Sequence, residues 1–137
     1  MTPELRDIRV HEDRRGSLGV FEDSDLPFKI RRVYYLFNAP LGAIRAEHGH
    51  KELEQFMVCM SGRCEVSVHD GVRSHPFDLD TPATGLYIPP AMWRTVKFVE
   101  PGSVCCVFAS MPYDRSDYLE TFEEFLAFTA DRAANGV

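Results

Sequence analysis

The sequence predicts an all-β fold, a small barrel or jelly roll that carries one α-helix at its C-terminal end. Three observations favour this class. Apolar and polar residues alternate at period two in many short runs, turn residues separate those runs, and helical spacing appears only after Tyr113. With 137 residues, 45% of them hydrophobic, the chain has the size of one ordinary domain, and we expect a single domain over residues 1–137.

The clearest predicted strand covers residues 28–37, where successive side chains alternate between two faces. On this pattern Arg32 and Tyr34 share one face. Further strands are predicted over residues 18–22, 55–60, 63–69, 85–88, 95–99 and 103–109. Asp70 and Gly71 supply a hairpin turn, because both residue types tolerate the positive φ that tight turns require. Antiparallel strands joined in this way build barrels and jelly rolls.

After Tyr113 the spacing becomes helical, and we expect one amphipathic helix over about residues 116–134. Asp114 or Ser116 is the expected N-cap residue, because a short polar side chain can accept a hydrogen bond from the first helical turn. We interpret the apolar stripe of this helix as the face that packs on the chain's own sheet. Its members are Tyr118, Leu119, Phe122, Phe125, Leu126 and Thr129.

Charge and cysteine content exclude several classes of function. The formal net charge of -6 repels a nucleic-acid backbone, so we expect no nucleic-acid partner. The longest apolar runs, such as residues 104–109, are far shorter than the roughly 18 residues of a spanning helix, so we expect no membrane partner and a cytoplasmic location. The four cysteines show no Cys-x-x-Cys spacing, which favours reduced core thiols over a disulfide or a zinc site.

The most informative stretch covers residues 42–50 and contains a pair of histidines. On a strand, His48 and His50 stand at i and i+2, so both rings face the same side and can contact one bound molecule. Arg45 precedes the pair and Gln55 follows it. This grouping favours a binding or catalytic site over two unrelated histidines.

The spacing resembles the first cupin motif, in which a glycine, an H-x-H pair, a glutamate and a second glycine line a β-barrel that commonly holds a metal. Gln55 stands where that motif has its glutamate ligand, and an amide is a weaker donor to a transition metal than a carboxylate. In the region of the second motif, Arg94 stands at the position of a histidine ligand. A guanidinium stays protonated and has no lone pair to give. We therefore expect no catalytic metal and no other cofactor.

Five segments, one of which contains the histidine pair, carry a narrower resemblance. They are residues 15–18, 26–35, 45–51, 85–94 and 113–118, which read RGSL, LPFKIRRVYY, RAEHGHK, GLYIPPAMWR and YDRSDY. In this order they resemble the dTDP-4-keto-6-deoxyglucose 3,4-ketoisomerases, also described as WxcM-like cupin domains. The family's histidine segment usually reads Arg, Gly, any residue, His, Ala, His, Lys. Here Ala46 replaces the glycine and Gly49 the alanine, which leaves the contact made by Arg45 open, whereas both histidines are retained.

The resemblance implies an isomerase of deoxy-sugar biosynthesis that moves the carbonyl of a dTDP-linked keto sugar from C4 to C3 through an enediol. It also implies a homodimer, with exchange of N-terminal strands as one arrangement. We expect His50 to be the base and His48 to assist, because an imidazole with a pKa near 6.5 can accept and return a proton at neutral pH. Tyr34 or the Gln55 amide is expected to donate to the enediolate oxygen.

Arginines are the expected contacts of the diphosphate, because planar guanidinium groups bind phosphate oxygens in pairs. The resemblance makes Arg15 the first candidate and Arg32 the second. Trp93 has two interpretations, since it can stack on a sugar or base or can be a packing residue. The expected substrate-binding residues are Arg15, Arg32, Arg45, Gln55, Trp93 and Arg94.

Two other functions stay open at this point. A cupin that binds a nucleotide sugar without converting it has no need of His48 and His50, both of which are present. A metal-dependent cupin oxygenase is disfavoured by Gln55 and Arg94. The stereochemistry at C4 and the choice between a thymidine and a uridine nucleotide do not follow from the sequence.

Overall fold

Two five-stranded antiparallel sheets and one C-terminal helix form the computed structural model, which describes residues 1–136. The strands are β1 Glu4–Asp7, β2 Arg9–Asp13, β3 Gly16–Val20, β4 Arg32–Leu36, β5 Ile44–His50, β6 Gln55–Ser61, β7 Cys64–His69, β8 Ser74–Leu79, β9 Thr84–Ile88, β10 Met92–Phe98, β11 Val104–Ala109 and β12 Tyr118–Leu119, and the helix α1 is Phe122–Ala134. One sheet has the order β1-β9-β6-β11-β4 and the other β12-β5-β10-β7-β8, while β2 and β3 form a separate hairpin. The predicted all-β class with a C-terminal helix is confirmed.

The core lies between the two sheets, because both contribute apolar side chains to one cluster. Its buried members include Met57, Cys59, Cys64, Val66, Val68, Leu86, Ile88, Val96, Phe98, Cys105 and Val107. All four cysteines are free and buried. A second cluster, with Leu26, Phe28, Phe56 and Tyr87, covers the other face of the first sheet. The central strand β6 is therefore packed on both faces, which fixes the position of its first residue, Gln55.

The strand β4 begins at Arg32, four residues later than predicted. The backbone N–H of Ile30 donates to Oδ1 of Asp23 at 3.0 Å, so at Ile30 the chain bonds to the 3-10 turn Asp23–Asp25, and pairing with β11 begins only at Arg31, whose N–H donates to the carbonyl oxygen of Ala109 at 2.8 Å. The alternation within the strand is as predicted. Arg32 and Tyr34 are half-buried, whereas Val33 and Tyr35 are 50% and 59% exposed.

The strand β5 places both histidines on the inner side of its sheet. A Cβ atom on Gly49 would lie 3.4 Å from the side chains of Leu119 and Phe125, so Gly49 faces β12 and the helix. His48 and His50 point the other way, as the period of a strand requires, and His50 is only 1% exposed.

A bulge interrupts β5 at Ala46. In the pairing with β10, Arg94 lies opposite His48 but Val96 lies opposite Arg45, so β5 has one residue more than its partner. Ala46 occupies this bulge with a φ of 58°. This is the left-handed region, which costs an L-residue other than glycine about 1–2 kcal/mol. Ala46 thus keeps a backbone conformation that favours the glycine it replaces.

The helix begins at Phe122 and not near residue 116, so this predicted boundary is wrong. Asp114 caps only a short 3-10 turn, in which its side chain accepts from the N–H of Ser116 at 3.0 Å. The next two residues then pair with β5 as β12. The N-cap of α1 is Thr121, whose hydroxyl accepts from the N–H of Glu124 at 3.1 Å. Within the described residues, no helix is long and apolar enough to cross a membrane.

We predict that Ala46→Gly raises the free energy of unfolding by about 1 kcal/mol, because glycine adopts a positive φ without strain. Urea unfolding followed by circular dichroism measures the change. Ala43→Gly is the matched control, because Ala43 lies just before the same strand and outside the left-handed region. Equal or lower stability of Ala46→Gly relative to wild type would contradict the assignment of strain to this bulge.

Candidate active site

Polar side chains gather at one end of the space between the sheets. Five polar or charged residues are buried within residues 1–136, and four of them meet there, namely His50, Gln55, Arg94 and Asp117. They come from β5, β6, β10 and the turn before β12. Half-buried side chains complete the group, which we call the polar cluster. Its members are Arg32, Tyr34, His48, His50, Gln55, Arg94, Asp117 and Tyr118.

The two histidine rings stand nearly perpendicular, at an angle of 86° with centroids 4.9 Å apart. The Tyr118 ring packs against both, with centroid distances of 5.0 Å to His48 and 4.4 Å to His50. Tyr118 reaches this position because β12 pairs with β5 directly opposite His50. The aromatic ring therefore holds both imidazoles in place from the side of the last strand.

Asp117 orients the ring of His50. Its Oδ2 atom lies 3.1 Å from Nδ1 of His50, and the carboxylate also accepts from the N–H groups of Glu52 at 2.8 Å and Leu53 at 3.3 Å. Burial raises the pKa of Asp117, while these two backbone bonds act in the opposite direction. Because a carboxylate only accepts, His50 carries its proton on Nδ1 and presents a lone pair at Nε2.

Both histidines are poised in the neutral form. Burial and then the positive charge of Arg94 lower the pKa of His48 to about 4. The same two causes hold the pKa of His50 well below its usual range. At neutral pH the unprotonated Nε2 of His50 can therefore act as a base.

Arg94 joins the two sheets through Gln55. Its Nη1 atom donates to Oε1 of Gln55, and Nε2 of Gln55 lies 2.6 Å from the hydroxyl oxygen of Tyr34. Arg94 is only 1% exposed. Burial lowers its pKa to about 10, which still leaves the guanidinium charged at neutral pH. Arg32 adds a second guanidinium 5.0 Å from the centre of the Tyr34 ring.

The polar cluster contains every buried side-chain nitrogen or oxygen that has no hydrogen-bond partner within the described part of the chain. These atoms are Nε of Arg32, Nδ1 of His48, Nε2 of His50, and Nε and Nη2 of Arg94. Buried polar groups are normally paired, so their concentration here indicates the place of a polar ligand. A neutral base beside fixed cationic donors can remove a proton next to a carbonyl group and hold the negative charge that develops.

The residues present do not fit the metal that the cupin motif implies. Of the ligand positions, one holds an amide whose oxygen already accepts from Arg94, and another holds Arg94 itself. A permanent cation in this space opposes a bound metal ion. Over residues 1–136, no group of three or more His, Cys, Asp or Glu side chains is placed to hold one.

Six of the nine residues singled out from the sequence meet in the polar cluster, and three do not. Arg15 is exposed in the β2–β3 hairpin, with Nη2 at 2.6 Å from Asp13. Arg45 is exposed beside the β5 bulge. Trp93 follows the packing interpretation, because it alternates to the opposite face of β10 from Arg94 and lies 5.7 Å from the ring of Phe122.

The sequence reasoning missed Asp117 and Tyr118. The segment 113–118 carried part of the family resemblance, but its apolar residues also matched helical spacing, and that match hid the strand. The carboxylate is 67 residues away from the histidine that it orients. The burial of Asp117 cannot be read from the sequence, so the family resemblance of segment 113–118 was the available signal.

The lowered histidine pKa values predict a pH-dependent stability. Unfolded histidine titrates near pH 6.5, whereas folded His48 titrates near pH 4. Between these values the unfolded state binds more protons than the folded state. The contribution of each buried histidine to the free energy of unfolding is therefore at its maximum above about pH 6.5. It falls with decreasing pH by up to about 1.4 kcal/mol per pH unit for each such histidine. Urea unfolding at several pH values measures this slope.

His48→Asn should make that slope shallower, because the buried neutral imidazole is removed. His11→Asn is the control, since His11 is exposed on β2, and it should keep the wild-type slope. The same slope in all three proteins would show that the buried histidines are not its source.

Comparisons with known proteins identify the family of this chain. Residues 1–130 match the family model described as FdtA: WxcM-like, C-terminal. A relative from Aneurinibacillus thermoaerophilus, named TDP-4-oxo-6-deoxy-alpha-D-glucose-3,4-oxoisomerase, is 40% identical over 119 residues, which are 86% of each chain.

Solved structures of similar fold include a 3,4-ketoisomerase from Helicobacter canadensis, at 34% identity and a TM-score of 0.91, covering 96% of this chain and 99% of that one. The sugar 3,4-ketoisomerase QdtA from Thermoanaerobacterium thermosaccharolyticum, solved with TDP, is 30% identical at a TM-score of 0.91 and covers 96% of both chains. A mutant of that enzyme was solved with TDP-4-keto-6-deoxyglucose. The chain studied here therefore belongs to the FdtA, WxcM-like family, together with these sugar ketoisomerases.

Proposed function

We propose that this chain is a 3,4-ketoisomerase that converts dTDP-4-keto-6-deoxyglucose into a dTDP-3-keto-6-deoxyhexose. One observation carries the proposal. His50 is neutral, its Nδ1 is bonded to Asp117, and its unpartnered Nε2 lies in the same polar cluster as the unpartnered donors of Arg94. The relatives with this fold are isomerases that act on TDP-linked sugars.

The reaction needs one proton to move between neighbouring carbons. His50 Nε2 removes the proton from C3, whose acidity comes from the ketone at C4, and the electron pair forms the C3–C4 double bond of an enediolate. The protonated imidazole then returns the proton to C4, while the hydroxyl proton of O3 passes to the neighbouring oxygen at C4 and the C3–O3 bond becomes the new carbonyl. Asp117 stabilises the transient imidazolium, and Tyr34 donates to the enediolate oxygen. His48 assists His50 from 4.9 Å away.

Two arginines supply the charge that an anionic substrate requires. Arg94 has two unpartnered nitrogens, Nε and Nη2, beside the proposed sugar site, and Arg32 has a buried, unpartnered Nε. Arg32 also lies 5.8 Å from the ring of Tyr113, which is 65% exposed and can contact a nucleotide at the mouth of the cluster. Guanidinium groups bind phosphate oxygens with paired hydrogen bonds, so Arg32 is assigned to the diphosphate.

We also propose a cytoplasmic homodimer in which Arg15 of one copy reaches the polar cluster of the other. Arg15 lies in an exposed hairpin and contacts only Asp13 within its own described chain. The outer side of β4 carries Val33 and Tyr35, and Phe37 follows directly after the strand. These three residues are 50%, 59% and 54% exposed, in that order. An apolar strip of this kind on a sheet edge is typical of a protein interface.

Incubation with dTDP-4-keto-6-deoxyglucose, followed by NMR of the sugar, tests the function and reports the stereochemistry at C4. The assay should be run with and without a chelator, because an oxygenase would lose its activity and the isomerase would not. An unchanged sugar with wild-type protein that binds dTDP would favour a binding protein instead.

We predict that His50→Asn lowers turnover by about 10²-fold or more, the usual contribution of a positioned general base. Binding of dTDP should stay close to wild type, because asparagine is polar and smaller and adds no charge. Steady-state kinetics and calorimetric titration with dTDP measure the two effects. The rate at which the sugar incorporates deuterium from solvent at the carbon beside the carbonyl should fall together with turnover.

His48→Asn is the matched control and should cost less, since His48 only assists. A His50→Asn enzyme that exchanges deuterium at the wild-type rate would refute the assignment. A larger loss in His48→Asn would move the base to His48.

We predict that Arg15→Ala weakens binding of the nucleotide sugar more than it lowers the saturated rate, because a diphosphate contact acts mainly on ground-state affinity. Such charged hydrogen bonds are worth roughly 1.5–3 kcal/mol.

Coexpression of Arg15→Ala chains with His50→Asn chains tests the exchange between copies. Mixed dimers then hold one intact site, and at substrate concentrations far below the KM of Arg15→Ala about a quarter of the wild-type activity should return. No recovery would place Arg15 within its own chain's site or outside any site.

A further inference from the structure

We infer that Gln55 is a positioning residue that sets the direction of a hydrogen-bond chain from Arg94 to Tyr34, so that the Tyr34 hydroxyl donates its hydrogen bond to the substrate. The inference rests on the proposed function and deepens it, because it states how the oxygen at C4 is held while its charge develops. It follows from the donor and acceptor capacity of three side chains.

The first step starts at Arg94. A guanidinium has five N–H donors and no acceptor. The atom of Gln55 that contacts Nη1 of Arg94 must therefore be an acceptor, which is the amide oxygen Oε1. Chemistry thus fixes which way the Gln55 amide points, and the nitrogen Nε2 is left at the opposite side.

The second step passes from Gln55 to Tyr34. Nε2 of Gln55 lies 2.6 Å from the hydroxyl oxygen of Tyr34. An amide nitrogen can only donate, so Tyr34 accepts in this bond. Its own hydroxyl proton cannot point back to Gln55 and must be directed elsewhere.

The Tyr34 hydroxyl proton needs an acceptor other than Gln55. Arg32 packs on the Tyr34 ring at 5.0 Å, and neither Arg32 nor Arg94 has an acceptor to offer. Among the described residues, the Gln55 bond is the one hydrogen bond of the Tyr34 hydroxyl. The remaining direction is the space that holds the unpartnered nitrogens of the polar cluster. A substrate carbonyl oxygen in that space receives the proton of Tyr34 as a hydrogen bond.

The chain also explains why an amide suits position 55 better than a carboxylate. A glutamate would accept from Arg94 in the same way, but its second oxygen would accept as well. The Tyr34 proton would then turn towards residue 55 and away from the substrate. A carboxylate would also neutralise Arg94, whose charge polarises the chain. Gln55→Glu therefore reverses one hydrogen bond in a side chain of nearly the same shape.

The kinetic test compares wild type with Gln55→Glu in the presence of EDTA, because His48, His50 and a carboxylate would offer three metal ligands together. We expect kcat to fall by about 10²-fold or more, the usual cost of losing one oxyanion donor. The affinity for dTDP should change less than about 3-fold, because the proposed diphosphate contact, Arg32, lies outside the hydrogen-bond chain from Arg94 to Tyr34. The Tm should rise by about 3 °C, because the buried Arg94 gains a counterion.

Tyr34→Phe is the control that separates positioning from structural damage. It removes the donor, so adding Gln55→Glu to it should lower kcat by less than about 3-fold further. A merely structural role of Gln55 would instead lower kcat by the same factor in both backgrounds. Equal factors, or an active Gln55→Glu enzyme, would overturn the inference while leaving the proposed function intact.

A second measurement does not depend on turnover. NMR titration of ¹³Cζ-labelled tyrosine follows the ionisation of Tyr34, which in Gln55→Glu would donate to a carboxylate and be harder to deprotonate. We expect its midpoint to rise by about 1 pH unit or more. An unchanged or lower midpoint overturns the inference. A raised midpoint in a protein whose wild type does not convert the sugar would support the hydrogen-bond direction and refute the proposed function.

Discussion

The buried guanidinium of Arg94 is the constraint around which the rest of the site is arranged. It lies between the two sheets and forms no ion pair within the described residues, and the one hydrogen bond of its guanidinium there goes to the Gln55 amide. A charge in this position is costly unless a ligand completes its shell. Burial, and after it this same charge, keeps both histidines neutral by lowering their pKa values. The unprotonated state of the histidines, the binding of an oxyanion and the exclusion of a metal ion therefore all depend in part on this charge.

The fold serves this arrangement by packing β6 on both faces and by covering the back of β5. Gly49 lacks a side chain where Leu119 and Phe125 approach most closely, so the helix and β12 can lie directly behind the histidines. That contact brings Asp117 to His50. The side chains proposed to contact the substrate stand on strands, which hold side chains more rigidly than loops do.

Period-two alternation was enough to predict which faces Arg32, Tyr34, His48 and His50 share, because a strand leaves no freedom in that respect. It could not predict the bulge at Ala46, since nothing in an alanine signals a positive φ. Nor could it reveal Asp117, because contacts between distant segments depend on how strands pair and not on local spacing. Tyr118 was misassigned for a different reason. Its apolar side chain fits the helical spacing of α1, so the predicted helix was extended towards the N-terminus over residues that form β12.

The pairing of His50 with Asp117 also has a meaning for folding. The two residues are 67 positions apart, so their bond closes a long loop, and such contacts form late because the entropy of loop closure opposes them. A chain in which both sheets had formed but the two residues of β12 had not docked would contain nearly all of the native secondary structure. Its His50 would have no fixed tautomer, so catalysis would report the completed fold more strictly than any spectroscopic measure of strand content.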